Sequence, residues 1–209
     1  MSARSRHSAL ALLALVALAA PATARADAGS AARARAASER CADADALPGQ
    51  AAGDDLRDAT LCLMNAERTA RGLGRLQAEP LLGRVAVSYA RQMVRGRFFD
   101  HTSPGGSTML ARVSATRYLR HVTSWSLGEN LAWGTGPLST PRATVRAWMQ
   151  SPEHRDNMLT PRWREVGIAA LQATSAPGAF GDEPTFLVTM DFGARGRRSA
   201  AGVSTTAKG

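Results

Sequence analysis

The sequence holds few of the groups that most often carry chemistry. It has two cysteines, four histidines, two tyrosines and a single lysine, Lys208, among 26 basic residues. Two cysteines alone do not make a zinc site. No Gly-x-Ser-x-Gly elbow supports Ser103, Ser107 or Ser126 as a nucleophile. There is no Gly-rich phosphate loop, no His-Glu-x-x-His and no Cys-x-x-Cys, so the nucleotide, zinc-protease and thiol-redox classes have no motif here. No apolar run reaches the ~18–20 residues of a membrane span, and no transmembrane segment is expected. There is no internal repeat.

What is present is ordinary globular composition. Of 209 residues, 44% are hydrophobic and 21% charged, which excludes wholesale disorder and a fibrous repeat. The first 26 residues read as a secretory signal. Arg4 and Arg6 give a positive start, Ala9 to Ala20 is apolar, and Ala24-Arg25-Ala26 is a small-x-small cleavage site. Asp27 is then the first mature residue, and a secreted, extracellular or periplasmic location is expected. Residues 27–57 are Ala-rich, acidic and poor in large apolar groups, and read as a flexible leader. Cys41 and Cys62 in an exported chain read as one disulfide tethering that leader, with two free thiols as the alternative.

The formal charge is +9, and loss of Arg4, Arg6 and Arg25 leaves +6. Residues 27–60 are net −3 and residues 61–195 net +6, the latter almost entirely arginine. A basic exported surface suits anionic wall polymers or lipid head groups. A solvated arginine-rich surface is the simpler reading, and no nucleic-acid partner is expected, because no nucleic-acid motif accompanies the charge.

Ala59, Cys62, Leu63, Ala66, Ala70 and Leu73 recur at helical steps and predict a helix from about Asp58 to Gly72. Asn65, Glu67, Arg68 and Arg71 fall on its polar face. Pro80 to Gly96 predicts a second helix, and Ser107 to about Tyr118 a third. Residues 119–127 are ambiguous, and a glycine-bearing loop is expected over 134–139. Thr140-Pro141 and Ser151-Pro152 each start a helix. Trp163–Leu171 and Pro184–Phe192 alternate as strands, the second through Phe186, Val188, Met190 and Phe192. From Arg195 a disordered tail is expected.

His101, His154 and Glu129 form a chemically sufficient set for a divalent metal or for acid–base work. Their separations do not by themselves bring them together, and exposed hydrogen-bonding loop residues are the plainer alternative. Asn130 and Asn157 read as braces of loop backbone that support a cleft. His121 has no motif around it. Trp125, Trp133, Trp148 and Trp163 read as core or cleft wall, an exposed one being suited to stack on a sugar or lipid.

Five segments occur in order: Asn65-Ala66-Glu67-Arg68; Phe99 through Gly106; Gly128-Glu129-Asn130-Leu131-Ala132; Trp148 through Leu159; and Glu165-Val166-Gly167-Ile168. Together they resemble the CAP superfamily of cysteine-rich secretory proteins, antigen five and plant pathogenesis-related proteins, in its bacterial secreted SCP-domain branch. The resemblance covers about residues 58–194. It implies an α+β fold, an α-β-α sandwich with a small, mainly antiparallel sheet between helical layers. It also implies a cleft in which His101, Glu129 and His154 match the family's metal-ligating positions, with zinc the first cation to consider. The family's second glutamate is absent, Ser151 standing in its place, and the role does not pass to Glu153, which points ~100° away from His154 on a helix. The implied function is a monomeric secreted binding module for a divalent cation and an extracellular ligand: a lipid, a wall component or a protein. A metal-assisted hydrolase and a metal-free structural or signalling exoprotein are the alternatives.

Overall fold

A computed structural model describes residues 22–173 and 181–196 of the chain. Helix α1 (Ala22–Ser38) is followed by turns and then α2 (Gly53–Thr69), a two-residue strand β1 (Gln77–Ala78) and α3 (Pro80–Gly96). Then come α4 (Met109–Ser114), β2 (Ser124–Thr135), a 3-10 turn at Gly136–Leu138, α5 (Pro141–Gln150), α6 (Pro152–Leu159), β3 (Glu165–Ala173) and β4 (Thr185–Gly196).

The sheet runs β1-β3-β4-β2. β4 pairs antiparallel with both β3 and β2, and β1 adds a short parallel rung to β3. Even-numbered residues of β4 face one helical layer. There Phe186, Val188, Met190 and Phe192 join Leu56, Leu63 and Met64 of α2, Trp148 of α5 and Met158 of α6. Odd-numbered residues face the other layer, where Leu187 meets Ala86, Tyr89, Ala90 and Met93 of α3. This is the expected α-β-α sandwich with a small, mainly antiparallel sheet.

Local signals hold the helices. Pro80 opens α3 beneath the Glu79 carboxylate, which accepts from the Leu82 amide at 2.8 Å. The Thr140 hydroxyl caps α5 through the Ala143 amide at 3.1 Å. Thr108 rather than Ser107 caps α4, which ends at Ser114 and not near Tyr118. The ambiguous stretch resolves into turns, a left-handed His121 and the start of β2. β2 also takes in the first residues of the expected 134–139 loop. Gly167 is required by close approach: a Cβ there would stand 2.0 Å from the Leu82 carbonyl carbon of α3.

The flexible leader expected over 27–57 is not what forms. Most of α1 lies in it, and α2 begins at Gly53, a turn earlier than predicted. Small side chains proved sufficient, because Ala34 and Ala44 are fully buried and alanine favours helix. Polar ties complete the seat. The Arg33 guanidinium donates to the Ala70 carbonyl, Arg142 pairs with Asp45 at 2.8 Å, and Arg155 pairs with Asp27 at 3.0 Å. The expected cleavage point after Ala26 falls inside α1, and residues 1–21 lie outside the described residues. Arg195, expected in the tail, is in β4, where it pairs with Glu165. The remainder of the expected tail, 197–209, lies outside the described residues.

Cys41 and Cys62 form a disulfide with Cα atoms 5.7 Å apart. Opening it, by Cys41→Ser with Cys62→Ser, is expected to lower the unfolding free energy by about 3 kcal/mol. Urea midpoints of the two proteins measure this, and an unchanged midpoint would show that α1 is held without the bridge.

Candidate functional site

The edge strand β2 brings the chemistry-bearing residues together. Glu129 lies on its α3-facing side, directly across the ladder from Asp191 of β4. The α3–α4 connection passes above it. The Tyr89 hydroxyl donates to the Asp100 carbonyl at 2.6 Å, and the Asp100 carboxylate accepts from the Thr102 amide at 2.8 Å. This pinned turn presents His101, whose Nδ1 lies 2.7 Å from Glu129 Oε1.

Arg112 of α4 reaches back over the same carboxylate. It donates to Glu129 Oε2 at 2.6 Å and to the carbonyls of His101 and Ser107 at 3.1 and 3.0 Å. Its guanidinium carbon lies 3.3 Å from the centre of the Tyr89 ring. The Glu129 side chain is 3% exposed and that of His101 58%. The Glu129 carboxyl is therefore buried with a partner on each oxygen, and His101 is the group that meets solvent. The bond to Glu129 raises the His101 pKa, with the charges of Glu129 and Asp100 adding to it.

On the opposite side of β2, Asn130 and Asn157 tie α6 to the strand. Asn130 donates to the His154 carbonyl at 3.2 Å, and Asn157 donates to Asn130 Oδ1 at 2.9 Å and to the Glu129 carbonyl at 3.3 Å. Trp163 in turn donates to the Asn157 carbonyl at 2.8 Å. These bonds fix His154 at the rim. Ser151 does not cap α6; its hydroxyl lies 2.8 Å from His154 Nδ1 instead. Burial lowers the His154 pKa, and the charge of nearby His101 lowers it further.

Sequence reasoning did not find Arg112 or Asp191. Arg112 sits eleven residues beyond His101 on a helix with no motif of its own. Asp191 occupies an odd position in a strand whose even positions are apolar, which reads as a solvated face. The second helical layer buries it completely. Neither Asp191 oxygen accepts a hydrogen bond among the described residues, and in its protonated form the carboxyl donates to Glu129. Burial, then the charge of Glu129, raises its pKa well above the usual carboxylate value.

That shift gives stability a definite pH dependence. Above the unfolded value near 4 the unfolded chain releases this proton while the folded chain keeps it, so Asp191 erodes stability as pH rises. Asp191→Asn is expected to flatten that slope and raise stability at neutral pH. Urea midpoints between pH 4 and 8 measure it, and parallel slopes in both proteins would assign the effect to another group.

No three His, Cys, Asp or Glu side chains are grouped as metal ligands among the described residues. Of the expected set, Glu129 is occupied by His101 and Arg112, and the imidazoles of His101 and His154 remain. Trp125 and Trp133 are exposed and share the face of β2 that carries Glu129. Neither of two sizeable cavities, about 720 and 830 Å³, is lined by His101, Glu129 or His154.

Comparison with known proteins agrees with this architecture. The profile of the CAP cysteine-rich secretory protein family matches residues 61–192. The uncharacterized protein YkwD of Bacillus subtilis (strain 168) is 32% identical over 113 residues, which are 54% of this chain and 41% of that protein. The chain thus spans well under half the length of that relative. An outer surface protein of Borrelia burgdorferi shares the fold with a TM-score of 0.53 and 23% identity, over 65% of this chain and 89% of that one. An extracellular SCP-domain protein of Bacillus anthracis gives a TM-score of 0.50 and 22% identity, over 69% and 44%. Among the described residues no helix is long and apolar enough to cross a membrane. With its five ordered segments, its sandwich and a family match over most of the described residues, the chain belongs to the CAP family of cysteine-rich secretory proteins.

Proposed function

We propose that the chain is an exported binding module whose cleft contacts its ligand through His101 and His154, with Glu129 and Arg112 as rigid support. The observation that carries this is the difference in access within one hydrogen-bonded pair: the carboxylate is buried beneath Arg112, and its imidazole is exposed. Export follows from the N-terminal signal pattern, and Asp27, the expected first mature residue, is the partner of Arg155.

The donor chemistry suits a divalent cation, zinc first, as a two-imidazole site. Each ring has its Nδ1 occupied, one by Glu129 and one by Ser151, and neither Nε2 has a hydrogen bond among the described residues. A carboxylate on the far nitrogen of a ligating histidine fixes the tautomer and raises its basicity. A cation held there would supply Lewis-acid polarisation. Glu129 is 3% exposed and held by His101 and Arg112, so it is poorly placed to meet a solvent water as a general base, which favours binding over hydrolysis. A larger extracellular partner, whether lipid, wall polymer or protein, would meet the same face through Trp125 and Trp133.

Calorimetric zinc titration tests this, with folding followed by circular dichroism. One-site binding is expected in the wild type and none in folded His101→Ala/His154→Ala. Glu129→Gln is expected to weaken binding by about 10–100-fold, as a supporting group does. Absence of zinc binding by the folded wild type would remove the cation, and complete loss in Glu129→Gln would make the carboxylate a ligand after all.

A further inference from the structure

Ser151 serves two helices at once. It ends α5 and precedes α6, and both draw on its backbone. Its amide donates to the Ala147 and Trp148 carbonyls at 3.1 and 3.2 Å, and its carbonyl accepts from the Arg155 amide at 2.8 Å. Its φ of −91° and ψ of 119° are extended, as the residue before a helix requires. A serine in that place ordinarily turns its hydroxyl onto the second or third helical amide. Thr140 does this for α5 and Thr108 for α4. Ser151 does not do it for α6.

The reason stands at the third helical position, His154, on the same face of the turn. In a capping box the side chain at that position reaches back to the amide of the capping residue. Here that amide is already given to α5. The hydroxyl is the polar group of Ser151 that remains, and it meets the imidazole at Nδ1, 2.8 Å away. The backbone beneath the ring is anchored separately. Asn130 donates to the His154 carbonyl at 3.2 Å, and Pro152 opens the helix with its fixed φ. The bond to Ser151 is the one hydrogen bond of the His154 ring among the described residues.

We propose that Ser151 is the positioning residue of His154: its hydroxyl holds the ring in one rotamer, with Nε2 free for the ligand, in either tautomer. This rests on the two-imidazole cleft proposed above. His101 is held by a carboxylate, which when ionised only accepts, so its neutral ring keeps the proton on Nδ1. A hydroxyl both donates and accepts. It accepts from Nδ1–H when Nε2 offers its lone pair to a cation, and it donates to a bare Nδ1 when Nε2 carries the proton. The ring is therefore oriented before a cation arrives and keeps its bond when the tautomer changes. The two histidines are held by different means, one by a buried anion and one by a neutral group that also joins α5 to α6.

The first stage of the test needs no metal. Ser151→Thr keeps the hydroxyl, and Ser151→Val puts a methyl group in its place at the same shape. Ser151→Ala is a second variant without the hydroxyl, should a β-branched side chain disturb the turn. In metal-free protein at pH 8, Hα–Hβ couplings report the χ1 rotamer of His154 and the ring nitrogen shifts its tautomer. One rotamer is expected in the wild type and Ser151→Thr, and averaging between rotamers in Ser151→Val and Ser151→Ala. Melting temperatures should move little, since no helix cap is lost. Calorimetric zinc titration follows. Binding should be about 10–100-fold weaker without the hydroxyl, the scale for a group that orients a ligating imidazole, and restored in Ser151→Thr. Zinc should also bring the wild-type His154 ring wholly to the Nδ1–H tautomer. One retained rotamer in all four proteins would overturn the proposal, and so would equal zinc affinity. A fall in melting temperature with the rotamer kept would reduce Ser151 to a link between the helices. A wild type that binds no zinc removes the cation reading, and the metal-free rotamers then decide the role of Ser151 alone.

Discussion

Arg112→Ala is expected to destabilise the domain by about 3–5 kcal/mol, the scale for removing one partner of a buried ion pair. Arg112 and Glu129 are 9% and 3% exposed and meet at 2.6 Å, so truncation strands a carboxylate that no water reaches easily. Asp191 stands opposite on β4 and adds a second buried carboxyl to the same spot. The two backbone bonds that Arg112 makes to the His101 turn are lost as well. Arg112→Lys keeps the charge but loses the planar fork and the stacking on Tyr89, and should fall between wild type and alanine. Adding Glu129→Gln to Arg112→Ala should recover part of the loss, because the stranded charge is gone. Chemical denaturation of wild type, Arg112→Ala, Glu129→Gln and the double variant measures this coupling. A loss under about 1 kcal/mol, or no recovery in the double variant, would show that water already solvates the carboxylate.

The second large effect lies at Arg68, a fully buried cation with no ion pair among the described residues. Its guanidinium donates to the Gly74 carbonyl at 2.9 Å, and to the Met158 and Thr160 carbonyls at 2.7 and 3.1 Å. One side chain of α2 thereby satisfies the turn after α2 and the C-terminus of α6, where carbonyls lack helical partners. Burial, and then the charge of Arg164, lower its pKa. Arg68→Met fills much of the same space but leaves those carbonyls unpaired, at a cost of about 3–5 kcal/mol for lost charge-assisted bonds. At about 2–4 °C per kcal/mol for a domain of this size, the melting temperature should fall by roughly 6–20 °C. A fall of less than about 3 °C would mean that ordered water replaces the guanidinium.

The two residues mark how much the sequence reveals. Apolar periodicity locates α2, α3, α5, β3 and β4, because burial against a neighbour repeats every 3.6 or two residues and leaves a trace in composition. The Thr140-Pro141 start is legible for a similar reason, since a hydroxyl followed by a fixed φ can do only a few things. α1 leaves a weaker trace. Its contacts are alanine and charge, which look the same in an unpacked leader, and only the docking of Arg33 and Ala34 distinguishes them. β2 is obscured by Gly128, Gly134 and its polar residues. Gly128 is needed where a Cβ would meet the Asn157 side chain at 2.7 Å, a constraint set by α6 from across the fold.

Sequence by itself determined the family, the sandwich and the Cys41–Cys62 pair, and named His101, Glu129 and His154 as candidates, all of which rest on local pattern or ordered motifs. Tertiary structure alone decided how those residues are placed. It buried Glu129 under Arg112, set the Ser151 hydroxyl against Nδ1 of His154, and placed Asp191 beneath a second helical layer. Local pattern records which way a side chain points along its own helix or strand. Access, partner and local dielectric depend on what packs over it from elements far away in the chain, and one sequence carries no local trace of that.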